Sequence, residues 1–225
     1  IGEVLGLIGD AKTYDYNPDQ AKKFLADSGW GNPDDKGVLN KTIKTGSGRS
    51  AKSTNQKLTI RLTTSTWPEL ANVANILKEQ WAKVGIELVL EVLPSQNLQQ
   101  IIKDRGYQML LFGEILNLDP DPFSLWHSSQ KRDPGLNLAL YDNKSVDTLL
   151  EKARQTLNPL ERIKQYQDFQ KLVIEDVPAV FLYNPLYIYA RTNSIKGFDS
   201  KIISMPSDRF SNVEKWYINS KRSFK

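Results

Sequence analysis

The one histidine of the chain, His127, sits in LDPDPFSLWHSSQ, residues 118–130, beside Trp126, Ser128 and Ser129 and a short distance after Asp119 and Asp121. An imidazole among hydroxyls and carboxylates is the chemistry of a general base with a nucleophile, so hydrolysis of an ester or amide is one reading. That reading needs a serine lifted into the open, and the G-x-S-x-G elbow that lifts one is absent. Sequence neighbours seldom form a triad. The competing reading, which we favour, has His127 hydrogen-bonding locally next to Trp126.

Asp119, Asp121 and Asp133 could supply oxygen ligands to a hard cation, but each precedes a proline and their spacing is not that of a calcium loop. Asp-Pro suits a helix start, with Asp121 accepting backbone N–H bonds and Pro122 in the first helical position. A cap leaves binding open, because residues beyond it face the neighbouring strand ends. With no cysteine and a single histidine, thiolate sites and multi-histidine metal sites are excluded, and no metal or cofactor is expected. TGSGRSAKST resembles a phosphate loop only loosely, since it lacks the Walker spacing and a preceding strand.

What must position these residues is an α/β framework. The 225 residues are 40% apolar and 25% charged, enough for a sizeable core and far from a disordered composition. Asn17, Pro18 and Gly29 bracket a first helix carrying Phe24 and Leu25. Residues 31–56, rich in Gly, Ser, Thr, Asn and Lys, read as a flexible surface excursion. Leu58, Ile60 and Leu62 then alternate as a half-buried strand over 57–65.

Leu70, Val73, Ala74, Leu77, Trp81 and Val84 recur by threes and fours over 68–84, a helix ended by Gly85, and 86–94 is the next strand. Strand, crossover helix and strand predict a parallel pair. A helix over 97–103, capped by Ser95, and a nearly continuous apolar strand over 107–115 complete a β-α-β-α-β core. The His127 segment follows that last strand, where open α/β sheets hold their ligands. Helices over 145–156 and 159–175 come next, joined through Asn158, and 179–192 reads as two short strands bearing Tyr183, Tyr187 and Tyr189. The part after Ile195 has few helical signals.

The net charge of +4 is spread over lysines that gather on no predicted helix face, which argues against a nucleic-acid partner. No stretch approaches the roughly 18 apolar residues of a membrane span, and IGEVLGLIGD lacks the basic start and cleavage site of a signal peptide.

The order of segments resembles the extracellular solute-binding proteins of family 5, the peptide and oligopeptide receptors of ABC importers. The resemblance rests on YDYNPDQAKKFLADSGW, DDKGVLNK, ILKEQWAKVGIELVLEVL, YQMLLFGEILNLDPDPFSLWHSSQ and NLALYDNKSVDTLLEKARQTLNPLERIKQYQDFQKLVIEDVPAVFLY, the last carrying Asn-x-x-x-Tyr and Glu-Arg-x-x-x-Tyr. Together they cover nearly the whole chain. The resemblance implies an α/β, periplasmic-binding-protein-like lobe with a mixed, mostly parallel sheet flanked by helices. It implies that residues 1–225 form the C-terminal lobe of a longer, two-lobed receptor whose signal peptide lies upstream.

Such a receptor binds its solute between the lobes by hinge closure, performs no catalysis, and works outside the cytoplasm with a membrane permease, free or lipid-anchored. The residues expected to line this lobe's share of the site are Glu114, Asn117, Asp119, Asp121, Trp126 and His127, with Tyr183 and Asn184 after them. One departure bears on the solute. In peptide receptors of the family an aspartate three residues before the Asp-Pro pair commonly binds the peptide ammonium, and Leu118 stands there in this chain. Asp119 is the substitute carboxylate if the solute is a peptide; a sugar or a metal chelate is the alternative.

Overall fold

A computed structural model describes residues 12–46, 52–114, 121–185, 188–199, 203 and 205–220. Its centre is a three-stranded parallel sheet of β3 (Thr59–Ser65), β4 (Glu87–Leu93) and β5 (Met109–Leu110), with β3 in the middle. Thr59 pairs with Glu87 and Ser65 with Leu93, while Leu62 and Thr63 pair with Met109 and Leu110. Helix α2 (Pro68–Ala82) makes the crossover from β3 to β4 and α3 (Ser95–Asp104) the one from β4 to β5. The expected β-α-β-α-β core is therefore present.

Leu70, Val73, Leu77 and Trp81 of α2 pack on buried Leu62, Leu88 and Leu111. Each buried leucine there is worth about 1.5–3 kcal/mol of removed apolar surface. Helix α2 stops three residues before Gly85, whose φ of +85° and whose closeness to the Leu39 side chain both require glycine. The opposite face of the sheet is polar. Thr59 and Thr63 there donate to the carboxylates of Glu87 and Glu91 at 2.8 and 2.7 Å, directly across the β3–β4 register.

Three local expectations are corrected. Ser95 does not cap α3: it is the first helical residue, Pro94 holds the cap position, and no side chain satisfies the first N–H groups. The strand expected over 107–115 shrinks to Met109–Leu110, because β5 pairs with β3 alone, and beyond Leu111 the chain departs from it and leaves Phe112 half exposed. The supposed flexible excursion at 31–56 holds an antiparallel ribbon of β1 (Asn40–Thr45) and β2 (Lys52–Lys57). Its base is fixed by Asn40, buried, which exchanges backbone hydrogen bonds with Gly31 and donates its side-chain amide to Asn32 and Val38. Helix α1 (Pro18–Asp27) starts as expected with Asn17 capping Gln20 at 2.9 Å.

The second half is helical. The short α4 (Phe123–Trp126) leads through a 3₁₀ turn, Ser128–Gln130, to α5 (Lys144–Gln155) and α6 (Pro159–Asp176). Asn143 and Asn158 cap the two long helices through their side chains. Val146, Leu150 and Ala153 of α5 meet Tyr166, Phe169 and Val173 of α6 in a core of their own.

Arg105 ties the halves together. Its backbone is left-handed at the end of α3, and its guanidinium donates to the carbonyls of Ile102, Lys131 and Gly135 at 2.5, 3.0 and 2.6 Å. Tyr107 adds a 2.6 Å bond from its hydroxyl to the Leu138 carbonyl.

The two strands expected over 179–192 are not found among the described residues, where the chain pairs with no strand. Tyr187 lies outside the described residues. The last part contains a small ribbon of β6 (Ile195–Lys196) and β7 (Tyr217–Ile218) and two 3₁₀ turns, with Tyr189, Phe198, Phe210 and Trp216 in a chain of ring contacts 5.5–5.7 Å apart.

Candidate functional site at the carboxyl ends of the strands

With β3 central, the crossover out of β3 goes one way across the sheet and the crossover out of β4 returns past it. The strand order therefore reverses between β3 and β5, and the carboxyl ends of such a pair are where open α/β sheets hold their ligands. Two bonds fasten these ends. Leu111 N–H donates to Thr63 O at 3.0 Å and Thr64 Oγ1 to Leu111 O at 2.9 Å, so buried Thr63 and Thr64 hold the exits of the two strands side by side.

From there β3 runs through Ser65, whose hydroxyl accepts the Trp67 N–H at 3.2 Å, into an indole that is 67% exposed. Beside it β5 runs into Phe112 and Glu114. The Glu114 side chain reaches solvent, yet protein packed around its carboxyl pushes the pKa above the ordinary range by desolvation. Across the start of α2, Tyr183 donates its hydroxyl to Glu69 at 3.0 Å, and that hydrogen bond to a carboxylate raises the phenol's pKa. A large indole, a phenyl ring, two carboxylates and a phenol thus share one open rim. Such a surface can stack on and hydrogen-bond a solute.

The expected site residues divide. Glu114 and Tyr183 lie at the rim, and Asn184 is exposed next to Tyr183. Asn117 and Asp119, like Leu118, lie outside the described residues. Asp121, Trp126 and His127 are engaged in the helical half instead. Asp121 accepts the Phe123 N–H at 3.1 Å, as a cap should, although Pro122 holds the cap position that was expected to be the first helical one. Its other oxygen pairs with Arg154 at 2.6 Å. That guanidinium lies 3.7 Å over the Phe123 ring, and Phe123 stacks on His127 at 4.1 Å. Trp126 meets Tyr141 and Phe169 edge-on and is walled by Phe181 at 5.9 Å.

His127 is buried. Its Nδ1 accepts the Ser129 N–H at 3.1 Å and lies 2.8 Å from Ser129 Oγ, while Nε2 faces Glu151 at 3.3 Å. An N–H donated to Nδ1 assigns the ring hydrogen to Nε2, from where it points at Glu151. Serine, histidine and carboxylate are thus in contact, but as a cap. The serine is two residues away, its Oγ also accepts from Gln130 at 2.9 Å, and the imidazole closes the first turn of the 3₁₀ segment. The local reading of His127 fits this geometry and the hydrolase reading does not. Asn137, fully buried, bonds through its amide to the carbonyls of Trp126, His127 and Tyr141 and accepts the Tyr141 N–H at 3.0 Å.

Trp67 and Glu69 escaped the sequence reading, although a signal was available. The rule that ligands gather beyond strand ends was applied to β5 and applies equally to β3, its neighbour.

This framework places the molecule among known proteins. The chain belongs to the bacterial extracellular solute-binding proteins, family 5, whose middle portion matches residues 6–135. Its α/β, periplasmic-binding-protein-like fold is as expected.

Among relatives, the oligopeptide-binding protein AppA of Bacillus subtilis is 28% identical over 218 residues, which is 93% of this chain and 36% of AppA. The structure of that AppA in complex with a nonapeptide superposes with a TM-score of 0.69 at 25% identity, over 94% of this chain and 39% of the other. NikZ from Campylobacter jejuni in complex with Ni(L-His) gives 0.67 at 26% identity, over 92% and 40%. The chain therefore spans little more than a third of the relatives it matches.

Proposed function

We propose that the chain is the C-terminal lobe of a two-lobed solute receptor that delivers a peptide to an ABC permease outside the cytoplasm. Its rim of Trp67, Phe112, Glu114 and Tyr183 forms one wall of the binding site, with Asn117, Asp119 and Asn184 as further candidates. The N-terminal lobe of the same parent supplies the other wall, and closure about a hinge removes the solute from water. The work is binding alone, with no bond made or broken. The observation that carries this reading is the likeness, over 94% of this chain, to a protein solved with a nonapeptide. The open rim supports it, because an exposed wall of rings and carboxylates is what half of an inter-lobe site presents.

A second reading keeps the receptor and changes the solute. The likeness to NikZ, solved with Ni(L-His), is nearly as great, and Leu118 replaces the aspartate expected to hold a peptide ammonium.

Native mass spectrometry of the full-length protein, purified without refolding, separates these. A heterogeneous set of short peptides released on denaturation is the expected result. One small non-peptide mass would select the second reading. A protein that stays empty and binds no member of a tri- to nonapeptide library would end the peptide reading. Trp67→Ala in the full-length protein should weaken solute binding about tenfold or more, as loss of a stacking anchor does.

A further inference from the structure

The charge that looked scattered along the sequence is gathered on the β1–β2 ribbon. Residues 40–57, the two strands and the residues between them, contain five lysines and arginines and no carboxylate, leaving 25 basic against 26 acidic residues in the rest of the chain. The entire positive excess therefore belongs to one segment.

The ribbon stands out from the body. Every residue of β2 is exposed, and so are the last four of β1. Five residue steps at about 3.4 Å carry its end roughly 17 Å from the base. At the base the lysines are occupied: Lys57 pairs with Asp34 at 2.5 Å, and Lys41 donates to the Ser28 carbonyl at 2.6 Å and lies over Trp30. Towards the tip, Lys44 and Lys52 make no ion pair among the described residues. The register sets Lys44 opposite Ser53 and Lys52 opposite Thr45, so the two point to opposite faces of the ribbon.

An arm with cations on both faces recognises negative charge without recognising shape. It carries no aromatic residue from 31 to 66 on which a base or sugar could stack. A folded acidic protein would meet one face at a time. A fluid layer of anionic headgroups can gather around both, and the family is extracellular, where a bacterial membrane offers such a layer.

We propose that the β1–β2 ribbon is a docking arm for an anionic phospholipid surface, with Lys44 and Lys52 as its contacts. Each lysine at such a surface strengthens partition about fivefold, and salt screens the effect.

The test is co-sedimentation of the whole chain with vesicles of phosphatidylglycerol mixed with phosphatidylcholine, against phosphatidylcholine alone. Binding to the anionic vesicles only, lost at about 0.5 M salt, is expected. Lys44→Glu with Lys52→Glu should reduce it more than tenfold, and Lys44→Gln with Lys52→Gln by an intermediate factor. Lys78→Glu with Lys83→Glu, exposed on and after α2 and equal in net charge, should leave it within about threefold. Equal losses in the two reversed pairs would assign binding to overall charge and overturn the proposal. So would indifference to phosphatidylglycerol, or binding to soluble polyglutamate with none to vesicles, which would point to an acidic protein.

Discussion

Around Asn137 and His127 the chain uses its polar groups on itself; along the strand ends it leaves them open. Asn137 makes four hydrogen bonds in complete burial, and His127 is capped, stacked and faced by a carboxylate. Trp67, Phe112 and Tyr183 are each about half exposed or more. Both regions carry residues that a sequence reader would mark for chemistry. Satisfaction separates them: a buried polar group with every partner in place holds structure, and an exposed ring beside an underused carboxylate is free to meet a solute.

The contrast is broken most severely from inside the helical half. Leu150→Ala, at a fully buried position between α5 and α6, should cost about 3–4 kcal/mol in urea unfolding. Asn137→Ala should follow at about 2–3 kcal/mol, because it strands buried carbonyls and the Tyr141 N–H at once. A loss below about 0.5 kcal/mol there would mean that the knot is ornamental and the distinction unsound.

Acid gives a smaller, local effect at the ribbon base. Bonds from Lys57, first, and from the Val38 and Lys36 N–H groups lower Asp34 from 3.8 to about 2. A depressed carboxylate stabilises above its unfolded pKa and ceases to do so as the pH falls through its folded one. Protection of the Val38 amide, taken relative to its intrinsic exchange rate, should therefore fall between about pH 4 and pH 2, and Asp34→Asn should remove that step. The smallest effect belongs to the rim. Tyr183→Phe should change stability by less than about 0.5 kcal/mol, and a larger loss would turn the rim into a second structural knot.

These two regions were unequally legible in sequence. The spacing of Leu70, Val73, Ala74, Leu77 and Trp81 found α2 because one face of it is buried, and Asn158 marked the α5–α6 turn because a cap has few alternatives. The β1–β2 ribbon has almost no buried face, so the alternation that reveals strands could not exist there, and polar composition made it look like loose chain. Met109 to Phe112 misled in the opposite sense: an apolar run promises cover on both sides, whereas β5 has one partner and releases the chain at Leu111. At the rim, Glu114 came with the family resemblance, whereas Trp67 follows β3, to which the strand-end rule applies as well as to β5. Trp126 and His127 have suitable side chains, and only three-dimensional contacts show those side chains already engaged.

Arg105 and Tyr107 join the sheet half to the segment that leads into α5 at three carbonyls, those of Lys131, Gly135 and Leu138. Rivets of this kind decide what moves as one piece. Lys131 and Gly135 thus hang from the end of α3, and the segment leading into α5 is held by side chains of the sheet half as well as by the chain itself. The ribbon of β1 and β2 is tied at its base, through Asn40, Lys41 and Lys57, while its outer residues stand exposed.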